Sequence, residues 1–314
     1  MATEPLVATL VPNVPLRRFA ASRVLADYWA LTKPEVNFLI VITTFAGFYL
    51  GSAAESLDFS FQRLSFLRLI NTLLGTLLVA SGTGTLNQYL ERRFDAQMRR
   101  TARRPLADGR LKPAAVLRFG VALSVAGTLY LAVAVNALAS LLVLATLLSY
   151  LFFYTPLKRR TPLCVLIGAF PGAMPPLIGW AGASGKLGFR ALIPYAVLFL
   201  WQFPHFMAIA WMYREDYARA RYLVLPHHEP AKSRAVDWQT LLPLSALVLL
   251  CLWLAFESHP STLYGIAASL LSLGFFYYGV QFVVRKSNAA ARRLLAASII
   301  YLPCLFVLMM FSRG

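Results

Sequence analysis

Apolar runs of 18 or more residues recur along the whole length of this chain, and no other feature limits its fold so strongly. As a helix rising ~1.5 Å per residue, such a run crosses the ~30 Å hydrocarbon core of a bilayer. Lipid offers no partners to backbone amides, so each run must satisfy its own, which a helix does. A large soluble core fails for want of polar surface. Of the 314 residues 59% are hydrophobic and only 14% charged, against ~25% charged in ordinary soluble domains. The expected fold is all-α: a polytopic membrane protein with nine transmembrane helices bundled around a central cavity open to the cytoplasmic side. The spans are expected near 36–54, 68–89, 114–133, 136–156, 162–182, 190–213, 239–256, 262–284 and 293–312. The fifth, TPLCVLIGAFPGAMPPLIGWAGASG at 161–185, carries four prolines and five glycines and must bend or break. No low-complexity tract, repeat or linker interrupts the pattern. Residues 1–35 read as a cytoplasmic N-terminal segment and 36–314 as a single transmembrane domain.

Charge predicts the orientation. The ends and loops on one side of the nine spans hold 24 of the 30 Lys and Arg residues, including Arg17, Arg18, Lys158, Lys232 and Arg292. The other side holds five (Arg63, Arg68, Lys186, Arg190 and Arg313), and Arg118 lies within the third span. Positive residues accumulate on the cytoplasmic side, so the N-terminus is expected inside and the C-terminus outside. The net charge of +17 is thereby explained by topology and attraction to anionic membrane lipid, and no nucleic acid is called for. The first 35 residues lack the short apolar core and cleavage site of a secretory signal. Arg17, Arg18 and Arg23 with small neighbours faintly suggest a transit peptide, but Glu4 and Asp27 oppose one, and a bacterial inner membrane is the expected location. Cys164, Cys251 and Cys304 sit in apolar spans without CxxC spacing and read as packing residues. His227, His228 and His259 lie in loops and suggest no metal pair.

Chemistry concentrates where the second span ends, in NQYLERRFDAQMRRTARRPL at 87–106. Asn87, Glu91, Asp95, Arg99 and Arg103 recur at intervals of four. On one continuous helix they would form a single polar face. Amide and carboxylate oxygens suit Mg²⁺, which completes its octahedron with phosphate and water, and arginines suit the same phosphate. The competing reading is a positive-inside loop laced with i,i+4 ion pairs. Intramembrane polar residues are expensive, which favours function. A second cluster, YTPLKRRTP at 154–162, offers Tyr154 as a hydroxyl donor and Lys158 as a point charge; a basic membrane anchor would look the same. The third, WQFPHFMAIAWMYREDY at 201–217, places Gln202 and His205 in the sixth span and Arg214, Glu215 and Asp216 at its cytoplasmic exit. An intramembrane histidine commonly bridges helices, and ligation is the rarer use.

Taken together these motifs resemble the UbiA-type intramembrane prenyltransferases, and within them the branch that modifies haem. The resemblance runs from LTKPEV at 31–36 to the last span, with GAFPGAMPPLIGW at 168–180 and WQFPHF at 201–206 the parts that favour haem over quinone precursors. Three departures stand out. Cys164 and Val165 stand where many relatives have a polar Asn-Thr pair. Glu91 occupies a position where much of the superfamily has aspartate, and ARYLVLP at 220–226 lacks a glycine often found there. The resemblance implies Mg²⁺-dependent transfer of a farnesyl group from farnesyl diphosphate to a vinyl group of haem B, with addition of water, giving haem O for terminal oxidases. It implies that Asn87, Glu91, Asp95 and Asp216 hold two metal ions, and that Arg99, Arg103, Lys158, Tyr154 and Arg214 bind the diphosphate. Trp201 and His205 are the expected haem contacts. A haem A synthase or oxidase assembly proteins are the implied downstream partners. An aromatic or quinone-precursor acceptor, a membrane transporter and a non-catalytic assembly factor are the alternatives carried forward.

Overall fold

The computed structural model describes residues 21–54, 63–225, 234–257 and 262–311. The expectations for Arg17, Arg18, His227, His228, Lys232, His259 and Arg313 lie outside these residues. Every regular element among the described residues is helical. Nine helical stretches are long and apolar enough to cross a membrane: Pro34–Ser52, Ser65–Asp95, Pro113–Ala134, Ala137–Leu157, Cys164–Ser184, Phe189–Met212, Arg234–Ala255, Gly265–Arg285 and Asn288–Phe311.

Three of them depart from the sequence pattern in ways that build the site. Helix α3 (Arg63–Asp95) runs beyond its apolar stretch. Its membrane segment of 31 residues is ~46 Å long at 1.5 Å per residue, well over the ~30 Å needed to span. The surplus carries Glu91 and Asp95 to the membrane boundary. The fourth span begins as α5 (Ala137–Leu148), loosens into a π-helical turn over Ser149–Tyr154, and closes with α6 (Thr155–Leu157). Such π turns occur often at functional sites. The fifth span breaks, as its prolines require, into α7 (Cys164–Gly172) and α8 (Met174–Ser184). At the break the Gln202 side chain donates to the Ala169 carbonyl at 2.9 Å, which also accepts from the Ala173 N–H at 3.1 Å.

The first span, α2 (Pro34–Ala54), packs on α8 almost backbone to backbone. A Cβ at Gly47 would stand 2.1 Å from the Pro176 carbonyl oxygen, and one at Gly179 would stand 2.0 Å from that of Thr44. Close approach through small residues is the usual glue of membrane helices, since lipid supplies no hydrophobic drive between them. The neighbours at both glycines are rigid backbone. Gly179→Ala is therefore expected to cost about 1–3 kcal/mol of stability. A thermal-unfolding midpoint equal to the parent's would show that the two helices can move apart freely.

The remaining spans are α4 (Pro113–Ala134), α9 (Leu192–Met212), α11 (Arg234–Glu257), α12 (Thr262–Arg285) and α13 (Asn288–Phe311). Two short helices complete the set: α1 (Ala21–Leu31) before the first span and α10 (Arg214–Arg219) after the sixth. Polar contacts gather the cationic loops at one pole. Asp27 of α1 meets Arg110 at 3.1 Å, Arg214 donates to Asn288 at 2.8 Å, and Lys286 pairs with Asp237 at 2.8 Å. At the opposite pole Asn136 donates to the Ala181 carbonyl and Arg68 to that of Ala183. The charge asymmetry of the sequence thus maps onto the two ends of one bundle.

Candidate active site

Three side chains on the last turns of α3 form the floor of the site. Asn87, Glu91 and Asp95 share one helical face and are 1%, 5% and 1% exposed. Leaving three such groups in the dry interior without partners would be costly. Each has a cationic partner from elsewhere in the chain. Lys33, immediately before α2, donates to Asn87 Oδ1 at 3.1 Å. Lys158, at the end of α6, donates to Glu91 Oε1 at 2.8 Å. The Arg104 guanidinium contacts both Asp95 oxygens, at 2.8 and 2.7 Å. The Asn87 amide is fixed from its other end, donating to Thr155 Oγ1 at 3.2 Å.

The cations are held in turn. Lys158 Nζ stands 4.6 Å over the Tyr154 ring and 5.9 Å over that of Tyr222. Burial opposes its charge, but Glu91 outweighs that and holds the ammonium well above the ordinary lysine value. Burial, with Arg104 and Lys158 nearby, pushes Lys33 the other way, down to about 7. Tyr154 supports Lys158 with the face of its ring, where the sequence suggested a hydroxyl donor. Its ring lies against Gly168 of α7, where a Cβ would come within 2.5 Å of it.

The expected stripe continuing to Arg99 and Arg103 does not form, because α3 ends at Asp95 and the chain turns through 96–111. Both arginine side chains are exposed, and it is Arg104 that returns to Asp95. The loop instead delivers its backbone. The N–H groups of Arg99 and Arg100 donate to the two carboxylate oxygens of Asp216 at 3.2 and 3.1 Å, and Arg219 pairs with the same carboxylate. Burial would raise the Asp216 pKa, but those N–H groups and Arg219 hold it below the usual carboxylate value. Asp216 is therefore the joint between the two acidic segments. Among the described residues no three His, Cys, Asp or Glu side chains converge as a ready-made metal cage.

Arg214 points away from this cluster, towards α13. Its guanidinium donates to the Trp211 carbonyl at 2.9 Å and to Asn288. Trp201 and His205 also reach α13: Trp201 Nε1 donates to the Ser298 carbonyl at 2.8 Å, and His205 Nδ1 stands 2.8 Å from Ser298 Oγ. The two rings stack with centroids 4.5 Å apart. They bridge α9 to α13 through one residue. A cleft of about 220 Å³ lies near the start of α13, lined by Tyr277, Gln281, Arg285 and Arg293 among others, and none of the expected site residues lines it.

Sequence reasoning did not single out Lys33 or Arg104, which were read only as topological charges, nor Thr155 and Ser298. Lys33 directly precedes a helix-starting proline, and that was the available signal: such a lysine is held at a helix entrance. Arg104 had none to distinguish it from Arg103, because the end of α3 decides which of the two returns.

About nine-tenths of the chain matches known proteins in sequence and in fold. Residues 31–306 match the model of the UbiA prenyltransferase family. The chain belongs to the UbiA prenyltransferase family. Its curated relatives include the protoheme IX farnesyltransferase of Solibacter usitatus, 45% identical over 91% of this chain and 98% of the relative. That of Salinibacter ruber is 40% identical over 90% and 97%. Among solved structures, a digeranylgeranylglyceryl phosphate synthase superposes with a TM-score of 0.74 at 14% identity, covering 93% of this chain and 99% of its own. A UbiA homologue from Archaeoglobus fulgidus, solved with GPP and Mg²⁺, gives 0.57 at 13% identity, covering 90% and 99%. These likenesses establish the UbiA fold for this chain, with nine candidate spans among the described residues.

Proposed function

We propose that this UbiA-family chain transfers the farnesyl group of farnesyl diphosphate to a vinyl group of protohaem IX, adding water, to give haem O. The observation that carries the diphosphate half is the buried row Asn87, Glu91 and Asp95, each side chain holding a cationic nitrogen from another segment. The acceptor half is supported by relatives at 45 and 40% identity along nearly their full length, named for that acceptor.

The donor set fits Mg²⁺. It presents hard amide and carboxylate oxygens, two or three per ion, and leaves the rest of the octahedron to diphosphate and water. Glu91 and Asp95 each hold a cation already, so that part of the site stabilises positive charge where a metal would sit. When bound, Mg²⁺ would supply Lewis-acid stabilisation of the leaving diphosphate. Asn87, Glu91 and Asp95 would hold it, with Asp216 across the joint. Lys33, Lys158 and Arg104, released from the carboxylates and the amide, would turn to the diphosphate oxygens, with Arg99 and Arg103 at the rim and Tyr154 supporting Lys158. Negative charge grows on the diphosphate as the allylic C–O bond breaks, and fixed cations in a dry site stabilise that charge more than water would. The vinyl carbon takes the farnesyl C1. Water then adds at the carbon next to the pyrrole and loses its proton. A central cavity walled by apolar side chains keeps water from the allylic cation until that bond forms. Trp201 and His205 are the proposed haem contacts.

The site faces the cytoplasm of a bacterial inner membrane, with the N-terminus inside and the C-terminus outside. A haem A synthase or an oxidase assembly protein takes the product. Reporter fusions after residues 105 and 160 are expected to report cytoplasm, and one near 135 the opposite side. A fusion on the wrong side breaks that topology.

Mass spectrometry of haem from membranes with and without the protein tests the reaction. The expected gain is one farnesyl plus one water on the porphyrin. A prenylated quinone precursor with unchanged haem moves the chain to the other acceptor class. Haem mixed with purified protein adds a spectral arm. A change in absorption that His205→Ala removes places that residue at the porphyrin, and an unchanged spectrum leaves it a bridge to Ser298.

A further inference from the structure

Tyr222 holds a buried polar atom that the site as described does not use. The residue is 3% exposed, and its hydroxyl faces Glu91 but makes no hydrogen bond of good geometry. Buried hydroxyls are almost always paired, so a poorly paired one calls for a reason. It sits where the two acidic segments meet. Its ring packs 6.3 Å from Phe94 of α3 and 5.9 Å from Tyr217 of α10, centroid to centroid. Lys158, the partner of Glu91, lies over the same ring.

The backbone works to keep it there. Arg221 adopts φ +55°, a left-handed conformation that side-chain-bearing residues rarely take. The next two N–H groups are then spent on anchoring: Tyr222 donates to the Tyr217 carbonyl at 2.8 Å and Leu223 to that of Lys158 at 2.7 Å. The segment is strapped to the end of α6, and the strap turns Tyr222 inward. Strain of this kind persists where the surroundings over-determine it, commonly at ligand sites.

We infer that Tyr222 is a further substrate-binding residue, whose hydroxyl donates a hydrogen bond to a diphosphate oxygen of the prenyl donor beside Lys158. The inference rests on the diphosphate site proposed above. A phenol is protonated at neutral pH and is a ready donor. Poorly satisfied by Glu91, it gains a well-aligned partner when the anion binds. Removing the hydroxyl therefore costs the protein alone little, only a poorly aligned contact with Glu91, and costs the complex one charge-assisted bond.

Tyr222→Phe keeps the ring and its packing. Calorimetry on the full-length protein in detergent, with Mg²⁺ and inorganic pyrophosphate as probe, is expected to show about tenfold weaker binding, the loss of one hydrogen bond of about 1.4 kcal/mol. The KM for farnesyl diphosphate should rise by a similar factor, with that for protohaem unchanged. Thermal stability should hold or rise. Unchanged pyrophosphate binding in the variant overturns the role of Tyr222 and leaves the diphosphate site standing. A fall in stability with both KM values raised alike also overturns it, making Tyr222 a packing residue or a prop for Glu91. Parent protein that binds no pyrophosphate removes the diphosphate site itself, and Tyr222 with it.

Discussion

Asp95→Ala is expected to abolish farnesyl transfer, by at least about a hundredfold in kcat, in a protein that still inserts in the membrane. The carboxylate accepts both contacts of Arg104 and lies on the same face of α3 as Asn87 and Glu91. Its removal takes one proposed metal oxygen and at the same time leaves the guanidinium with nothing to hold it in place. Asn87→Ala should act in the same direction through a different loss, since Asn87 joins Lys33 to Thr155. Both variants keep the apolar face of α3, so insertion should survive, as a membrane-fraction blot would record. Full haem O production by both purified variants would sink the assignment of this face to the diphosphate and its metal.

Lys158→Ala should cost both substrate and stability. Lys158 and Glu91 form a buried pair at 2.8 Å, their side chains 12% and 7% exposed. Breaking such a pair strands a charge in the interior, at about 3–5 kcal/mol. The KM for farnesyl diphosphate should rise at least about tenfold, because a buried cation addresses the head group directly. The double variant Lys158→Ala with Glu91→Gln separates the two effects. Neutralising the stranded acid should recover much of the thermal stability while transfer stays impaired. Recovery of both would make the pair purely structural. Arg103→Ala is expected to do far less than Lys158→Ala. Its side chain is exposed, and its recorded contact is through the backbone carbonyl, which accepts from Arg110 at 3.1 Å. An Arg103 variant as damaged as the Lys158 variant would show that the loop closes over substrate in a way the unliganded protein does not display.

The break in the fifth span illustrates how far local chemistry reaches. Pro171, Pro175 and Pro176 cannot all sit inside one straight helix, and α7 and α8 part at Ala173. The same local rules placed nine spans and sent most of the cationic residues to one pole. They also set Asn87, Glu91 and Asp95 on one face, because residues four apart on a helix must share one. They failed a few residues further on. Nothing in ERRFDAQMRRTARR announces that the helix ends at Asp95, since arginine, alanine and glutamine all favour its continuation. The turn that follows is closed by the Thr101 hydroxyl on the Asp95 carbonyl and held from outside the segment by Asp216, 116 and 117 residues away, which accepts from the N–H groups of Arg100 and Arg99.

The sequence by itself determined what depends on periodicity and composition: a membrane bundle, its number of spans, its charged pole and the row of oxygen donors on α3. Each follows from free energies that a residue carries with it, the transfer of apolar side chains into lipid and the geometry of one helix. Only the tertiary structure decided which cation meets which acid. Lys33, Lys158 and Arg104 reach Asn87, Glu91 and Asp95 from three separate segments, while Arg99 and Arg103 stay at the surface and Trp201 and His205 turn to Ser298. A buried charge is stable only with a partner at contact distance, and contact distance between segments 54 or 67 residues apart is set by how the helices pack.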